Sequence, residues 1–225
     1  MTYLCALALF SLAFPGQQSA PVLIRVNAKL GSVYRFRIDT DMTAVGEKGT
    51  MGSRMLLTEK LDAIRNGDFI WHQTSKIEST YSTGVFKGVD SLFRQLDSLK
   101  FAVATDGTGQ IKRFELDGKS FPASGTSNVV FSKIPVRVGD TWRATVEGDG
   151  IKVDIDYKLI NLRTKEGRRI AVISGTYLSG QPIRNASPLV FWVDLADGKL
   201  NRSEGSIFAT KGAATVKVKF VLRRI

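Results

Sequence analysis

Apolar and charged side chains alternate along most of this chain, and no other feature limits its fold as strongly. The pattern is clearest over nine residues: Ile151, Val153, Ile155, Tyr157 and Leu159 alternate with Lys152, Asp154, Asp156 and Lys158. Successive side chains of a β-strand point to opposite faces of the sheet. The segment therefore predicts a long strand with one face in a core and the other in solvent. Segments 34–39 and 216–223 show the same pattern.

Asn-Gly and Asp-Gly dipeptides stand between the alternating segments and predict tight turns. They begin at Asn66, Asp106, Asp117, Asp149 and Asp197. Such dipeptides tolerate the positive φ angles of hairpins, and their spacing indicates an antiparallel meander of about ten strands.

Two segments have helical spacing. Asp90 can cap a short helix, and the residues that would share its apolar face are Leu92, Phe93, Leu96 and Leu99. Segment 55–64 fits a helix or a strand, and the turn at Asn66-Gly67 favours a hairpin. Segment 44–53, with Gly46, Gly49 and Gly52, is interpreted as a mobile loop.

The first twenty residues carry no charge and contain the apolar run Leu4–Phe14. This pattern predicts a signal peptide over 1–20, followed by a single β-rich domain over 21–225. The alternative is a buried first strand. Cys5 is the only cysteine, so a mature domain would have no disulfide, which favours a bacterial envelope. We expect an exported protein, either periplasmic or extracellular.

The formal net charge of +11 favours anionic neighbours such as lipid head groups or wall polymers. Much of this charge occupies the polar positions of the alternating strands and would form the outer face of a sheet. Because export argues against nucleic acid, we expect no nucleic-acid partner.

The segment IPVRVGDTW, residues 134–142, is interpreted as a corner of the fold. Pro135 cannot donate to a sheet ladder and belongs at a strand start or an edge. Gly139 and Asp140 turn the chain, and Trp142 begins the next strand as the largest core filler.

The same segment resembles a P-V-x-V-G-D-x-W motif of exported bacterial β-rich families of unknown function. The resemblance implies a curved antiparallel sheet, a half-barrel or open barrel, with one short helix packed against its concave side. That architecture is similar to lipoprotein-carrier half-barrels. It implies an envelope location and no catalytic residue.

Residues for catalysis are sparse. His72 is the only histidine and follows Trp71 on a predicted strand, so it faces solvent if Trp71 faces inward. Asp154 and Asp156 share a strand face with lysines, which is typical of a solvent-exposed charge ladder. We expect no enzyme, no metal site and no cofactor.

The favoured function is binding of a lipid or other hydrophobic ligand in an apolar groove of the half-barrel. The candidate groove residues are Trp71, Trp142, Tyr157 and Phe93. The basic exterior could approach an anionic membrane surface. The alternative is a structural or protein-interaction module of the envelope, which would bind its partner through the basic outer face or a sheet edge.

Overall fold

The computed structural model describes residues 20–89, 97–116, 119–121, 129–148, 151–178, 183–211 and 214–225. Most of them belong to one antiparallel sheet of twelve strands. The strands are β1 (Val33–Ala44), β2 (Thr50–Arg65), β3 (Asp68–Ser82), β4 (Lys100–Thr105), β5 (Ile111–Leu116), β6 (Lys119–Phe121), β7 (Thr141–Gly148), β8 (Ile151–Lys165), β9 (Arg168–Tyr177), β10 (Ile183–Asp194), β11 (Leu200–Lys211) and β12 (Ala214–Arg224). A short 3-10 turn occupies Gly84–Phe86. No helix in these ranges has the length and apolar character needed to cross a membrane.

The sheet consists of two six-stranded meanders. Its strand order is β6-β5-β4-β3-β2-β1-β12-β11-β10-β9-β8-β7, so β1–β6 form a first meander and β7–β12 a second. The two join where β1 pairs with β12, from Phe36 opposite Arg224 to Ala44 opposite Val216. We call this pairing the seam. Every other neighbouring pair of strands is consecutive in sequence.

The sheet is curled, as backbone contacts across its concave side show. Val26 donates to the carbonyl of Gly107 after β4, and Asn27 donates to that of Asp197 after β10, both at 2.9 Å. In a flat sheet β4 and β10 would lie about 29 Å apart, because neighbouring strands are about 4.8 Å apart. Two consecutive residues cannot bridge that distance. The prediction of a mainly β, curved antiparallel sheet that stays open is therefore confirmed.

The hairpin predicted around Asn66-Gly67 is also confirmed. Segment 55–64 lies within β2, and Asn66 and Gly67 turn the chain with φ angles of 52° and 84°. Two positive φ values are what a tight hairpin turn requires.

The prediction of a mobile loop over 44–53 is wrong in its second half, because β2 already begins at Thr50. Gly52 lies in this strand, where a Cβ atom would come within 2.6 Å of the Thr40 carbonyl oxygen and 2.7 Å of the Tyr81 ring. Glycine is therefore needed at position 52 because the neighbouring strands approach it closely, and not because the chain forms a loop there. The helix predicted from Asp90 to Leu99 falls largely on 90–96, outside the described residues.

The segment IPVRVGDTW forms the expected corner. Val136 exchanges two backbone hydrogen bonds with Val22, at 2.8 and 2.9 Å. Gly139 has a φ of +100°, and the Asp140 carboxylate accepts a 2.8 Å hydrogen bond from the backbone N–H of Arg137. Val136 is buried, so the corner covers one end of the core.

The core lies on the concave face of the sheet. Two non-strand segments, 22–28 and 129–136, pack into it and are called the inner segments. Their buried residues include Ile24, Val129 and Phe131. In the second meander they meet large strand side chains that are 0–1% exposed, namely Tyr157, Leu159, Ile173 and Phe191.

Candidate functional site

A cavity of about 250 Å³ lies on the concave face of the first meander. Strands β1–β5 supply most of its wall, together with both inner segments, the start of β11 and one residue of β12. The lining residues are Val26, Phe36, Ile38, Met55, Leu57, Glu59, Trp71, Gln73, Phe101, Val103, Thr105, Gly109, Ile111, Phe114, Val129, Phe131, Gly198, Lys199, Leu200 and Leu222. Apolar side chains dominate the wall, as in most small-molecule sites.

The alternating sequence pattern explains this wall. Phe36 of β1 lies directly opposite Leu57 of β2, and Trp71 of β3 opposite Val103 of β4. Directly opposite residues project from the same face of an antiparallel pair. The inward residues of successive strands therefore lie side by side and form one continuous apolar surface.

The two ends of the cavity differ in exposure. The end beside the β4–β5 turn is closed by Val26 and Phe131, which are buried and whose backbone N–H groups bond to that turn. Farther along the strands, Met55, Leu57 and Phe101 are half-buried. We call these the closed end and the half-exposed end.

A buried polar network extends from the closed end along β2 and β3, where Gln73 lies directly opposite Glu59 on one side and Phe101 on the other. Glu59, which is 6% exposed, accepts a 2.5 Å hydrogen bond at Oε1 from Gln73 Nε2. Its Oε2 atom pairs with Lys199 Nζ, also at 2.5 Å. Trp71 Nε1 donates to Thr105 Oγ1 at 3.1 Å. Each of these polar groups has a partner within the network, as burial requires.

Aromatic rings complete the surroundings of Lys199. Its Nζ lies 3.9 Å from the centroid of the Trp71 ring and 5.5 Å from that of Tyr34, which are cation–π distances. Burial, and secondarily the charge of Asp197, raises the pKa of Tyr34 above its ordinary range. The network ties β2 and β3 to Lys199, which directly precedes β11, across the seam.

The four predicted groove residues do not share one site. Trp71 lines the cavity. Trp142 and Tyr157 lie in the second meander, where their rings stack with centroids 5.6 Å apart and Trp142 Nε1 donates to the Val130 carbonyl at 2.7 Å. They face inward as predicted but pack in the core, because β7 and β8 form the opposite margin of the sheet. Phe93 lies outside the described residues.

Sequence reasoning missed Glu59 and Lys199. The available signal was the position of Glu59 between Leu57 and Leu61, where the alternation places an acidic residue on the apolar face. An inward charge in such a strand requires a partner. Nothing local identifies Lys199 as that partner, since it lies 140 positions away.

His72 and the Arg143–Asp156 pair lie on the outer face, away from the cavity. His72 is exposed while Trp71 is 2% exposed, as predicted. Arg143 bonds to both carboxylate oxygens of Asp156, at 2.7 and 3.0 Å, in a solvent-exposed pair. In the part of the chain that the structure describes, no three His, Cys, Asp or Glu side chains are grouped so that they could hold a metal ion.

Comparison with known proteins gives remote likenesses. No family model matches the sequence, and no curated protein matches it. Among solved structures, the chain is similar to lipovitellin, in a structure concerned with lipid–protein interactions, with 8% identity and a TM-score of 0.48. That match covers 88% of this chain but only 25% of the lipovitellin chain.

A DUF1329 family protein from Desulfovibrio piger is also similar, with 10% identity, a TM-score of 0.28, and coverage of 86% of this chain and 85% of that one. The family resemblance of the IPVRVGDTW segment stays a prediction, and the function has to be argued from the cavity itself.

Proposed function

We propose that this protein is a non-enzymatic binding protein whose first meander holds the apolar part of a small hydrophobic ligand. The observation that carries the proposal is the cavity of about 250 Å³ with its largely apolar wall. An apolar space of this size is costly to leave unfilled, because the lining side chains lose dispersion contacts.

The volume favours one acyl chain over a two-chain lipid. Ligand pockets are commonly about 300–1,000 Å³, and an apolar cavity of about 150 Å³ accepts a single benzene ring. A space of about 250 Å³ lies between these two cases. A fatty acid with part of its chain inside the cavity fits this range.

The polar network indicates how such a ligand would be oriented. Within the network, the two oxygens of Glu59 are engaged by Gln73 and Lys199, and the Trp71 N–H is engaged by Thr105. A polar head group placed there would have to break these bonds. The ligand's apolar end therefore points to the closed end and its head group to the half-exposed end.

The proposal includes an exported location in a bacterial envelope. It is supported by the uncharged, apolar start of the sequence and by the net charge of +11, which suits a protein that works near anionic surfaces.

The test is titration of the full chain with palmitate, followed by native mass spectrometry. We expect one palmitate per chain. Leu57→Trp, which puts an indole into the cavity at its half-exposed end, should weaken binding at least tenfold. Ile183→Trp is the matched control, since Ile183 is also half-buried against the core but does not line the cavity. It should bind within about twofold of the wild type.

Two results would overturn the proposal. One is no uptake by the wild-type chain at any palmitate concentration below its solubility limit. The other is an equal loss of binding in both tryptophan variants, which would show that the ligand does not occupy this cavity.

A further inference from the structure

The outer face of the seam carries a row of three arginines on adjacent strands. Arg223 of β12 lies directly opposite Arg202 of β11 on one side and Arg37 of β1 on the other. Their chain neighbours Leu222 and Phe36 are buried on the concave side, so the three arginine side chains project outward. They are 42–53% exposed.

A second line of positive charge runs along β12 and crosses this row. Lys217, Lys219 and Arg223 occupy outward positions of the strand, and all three are exposed. The remaining outward position between them is Val221. We call the row and this line together the basic cross.

Carboxylates neutralise part of the row. Arg202 pairs with Glu204, Arg37 lies 3.3 Å from Glu78, and Arg223 lies 3.9 Å from Asp39. Asp39 is shared, because Arg54 binds it at 2.7 Å.

The lysines of β12 are less compensated. No carboxylate among the described residues lies within 4.0 Å of Lys217 or Lys219. Asp41 is opposite Lys219 in the ladder without forming an ion pair with it, and its carboxylate accepts a 2.7 Å hydrogen bond from Tyr81.

Like charges directly opposite each other destabilise a sheet. Three arginines in one row, next to two lysines with no carboxylate of the described residues within 4.0 Å, therefore disfavour the isolated fold, and bound anions would relieve the repulsion. The charges also extend in two directions, about 10 Å across three strands and about 20 Å along β12. A two-dimensional array on an outer face matches a surface of anions, whereas a linear polyanion is usually followed by a groove.

Aromatic rings border the same face. The Arg202 guanidinium lies 5.2 Å from the Trp192 ring centroid, and that of Arg184 lies 5.0 Å from the Phe208 ring centroid. Aromatic and basic side chains together are typical of the membrane–water interface.

We propose that the basic cross docks this protein onto an anionic membrane surface. The inference rests on the outer face of the sheet and does not depend on the ligand of the cavity. The partner is the head-group layer of the membrane, and the sheet face meets it without insertion of a span.

The experiment is co-sedimentation of the full chain with vesicles of phosphatidylcholine containing phosphatidylglycerol, and with phosphatidylcholine vesicles alone. The test variant is Lys217→Gln, Lys219→Gln, Arg223→Gln. The control variant removes the same charge from exposed residues of the second meander: Lys158→Gln, Arg163→Gln, Arg169→Gln.

Each cation near an anionic leaflet contributes roughly fivefold to binding. We therefore expect the test variant to lose about 100-fold in its partition coefficient on anionic vesicles, and the control variant less than about fivefold. Raising the salt concentration should release the wild type, because the attraction is screened. A milder variant, Lys217→Gln with Lys219→Gln, should lose about 25-fold and keeps the test decisive if the triple variant is poorly folded.

Three results would overturn the proposal. The first is an equal loss of vesicle binding in the test and control variants. That result would mean that binding depends on the net charge of the protein and not on where the charges lie. The second is equal binding to the two kinds of vesicle, which would mean that insertion of apolar side chains, rather than charge, holds the protein on the membrane. The third is displacement of the wild type from vesicles by single-stranded DNA, with the same dependence on Lys217 and Lys219, which would identify a linear polyanion as the partner.

Discussion

The two meanders share one sequence pattern but differ in how their concave faces are filled. In the second, the rings of Trp142, Tyr157 and Phe191 follow one another, with centroids 5.6 and 6.1 Å apart. Gly175 lies beneath two of these rings, and a Cβ atom there would come within 3.1 Å of Phe191 and 3.4 Å of Tyr157. In the first meander, the equivalent space holds a cavity and a polar network.

The difference shows that alternation alone does not decide whether side chains fill the concave face of a curled sheet or leave a cavity there. In β7–β9 of the second meander the inward positions hold mainly aromatic and aliphatic residues, and its buried polar side chains, Asp194, Ser203 and Ser206, lie in β10 and β11. The first meander places polar residues at several inward positions, including Glu59, Gln73 and Thr105, all buried. Gln73 bonds to Glu59, and Thr105 accepts from Trp71, so these side chains lie along the wall and the cavity remains beside them.

The largest expected effect compares one substitution in the two meanders. Leu159 is 0% exposed in the packed core, and Leu57 is a half-buried residue of the cavity wall. We expect Leu159→Ala to lower the free energy of unfolding by about 2–5 kcal/mol, since it leaves a void in close-packed surroundings. Leu57→Ala should cost about 1 kcal/mol, because it only enlarges an existing space. Urea unfolding measures both, and equal losses would contradict the distinction between the meanders.

The next effect concerns the buried pair of the first meander. Lys199→Met leaves the Glu59 carboxylate buried without its cation, and we expect a loss of about 3 kcal/mol in the free energy of unfolding. Combining it with Glu59→Leu should recover part of that loss, because the buried unpaired charge is removed while the Gln73 amide loses its acceptor. A double-mutant cycle from urea unfolding measures the coupling. If the double variant is as unstable as the sum of the two single variants, the pair is not coupled.

A smaller effect depends on pH and belongs to the second meander. Burial raises the pKa of Tyr157 well above its ordinary value of 10.0. The unfolded chain loses this proton above pH 10 while the folded chain keeps it, so the stability that Tyr157 contributes falls as the pH rises above 10. The slope is at most about 1.4 kcal/mol per pH unit. Tyr157→Phe should flatten the decline in urea midpoint between pH 9 and 11. Parallel declines in the two proteins would refute this assignment.

The smallest effect is expected at an exposed ion pair. Arg143 binds Asp156 through two hydrogen bonds on the outer face of the second meander, with side chains 58% and 42% exposed. Solvent screens such pairs, and many contribute nothing measurable. Arg143→Ala should therefore leave the thermal unfolding midpoint almost unchanged. A drop as large as that of Lys199→Met would show that burial is not what separates the two pairs.

Much of the fold could be predicted because its signals are local. The alternation over 151–159 is reproduced in β8, where Val153, Ile155, Tyr157 and Leu159 are buried. The Asn66-Gly67 turn follows from the φ angles that these residues tolerate. The loop interpretation of Gly52 is wrong because the sequence does not distinguish a strand glycine that leaves room for a close neighbour from a glycine in a flexible loop.

The candidate site could be predicted only in part, because strand order decides which inward residues share a space. Trp71, Trp142 and Tyr157 all face inward as their alternation requires. Whether they meet depends on the pairing of β1 with β12 and on the curl imposed by the inner segments. Neither feature has a signal within one strand. Lys199, the partner of Glu59, lies on the other side of the seam, so it too has no signal within one strand.

The seam also has a consequence for the order of folding. Each meander can pair its strands by adding hairpins in sequence, but the seam joins residues as distant as Phe36 and Arg224. Closing so long a loop is slow, because the chain loses conformational entropy before the contacts of the seam can stabilise it. We therefore expect the meanders to gain protection from hydrogen exchange before the seam does. Because Val26 and Leu222 both line the cavity, a chain still emerging from the ribosome lacks part of the cavity wall until β12 has been added.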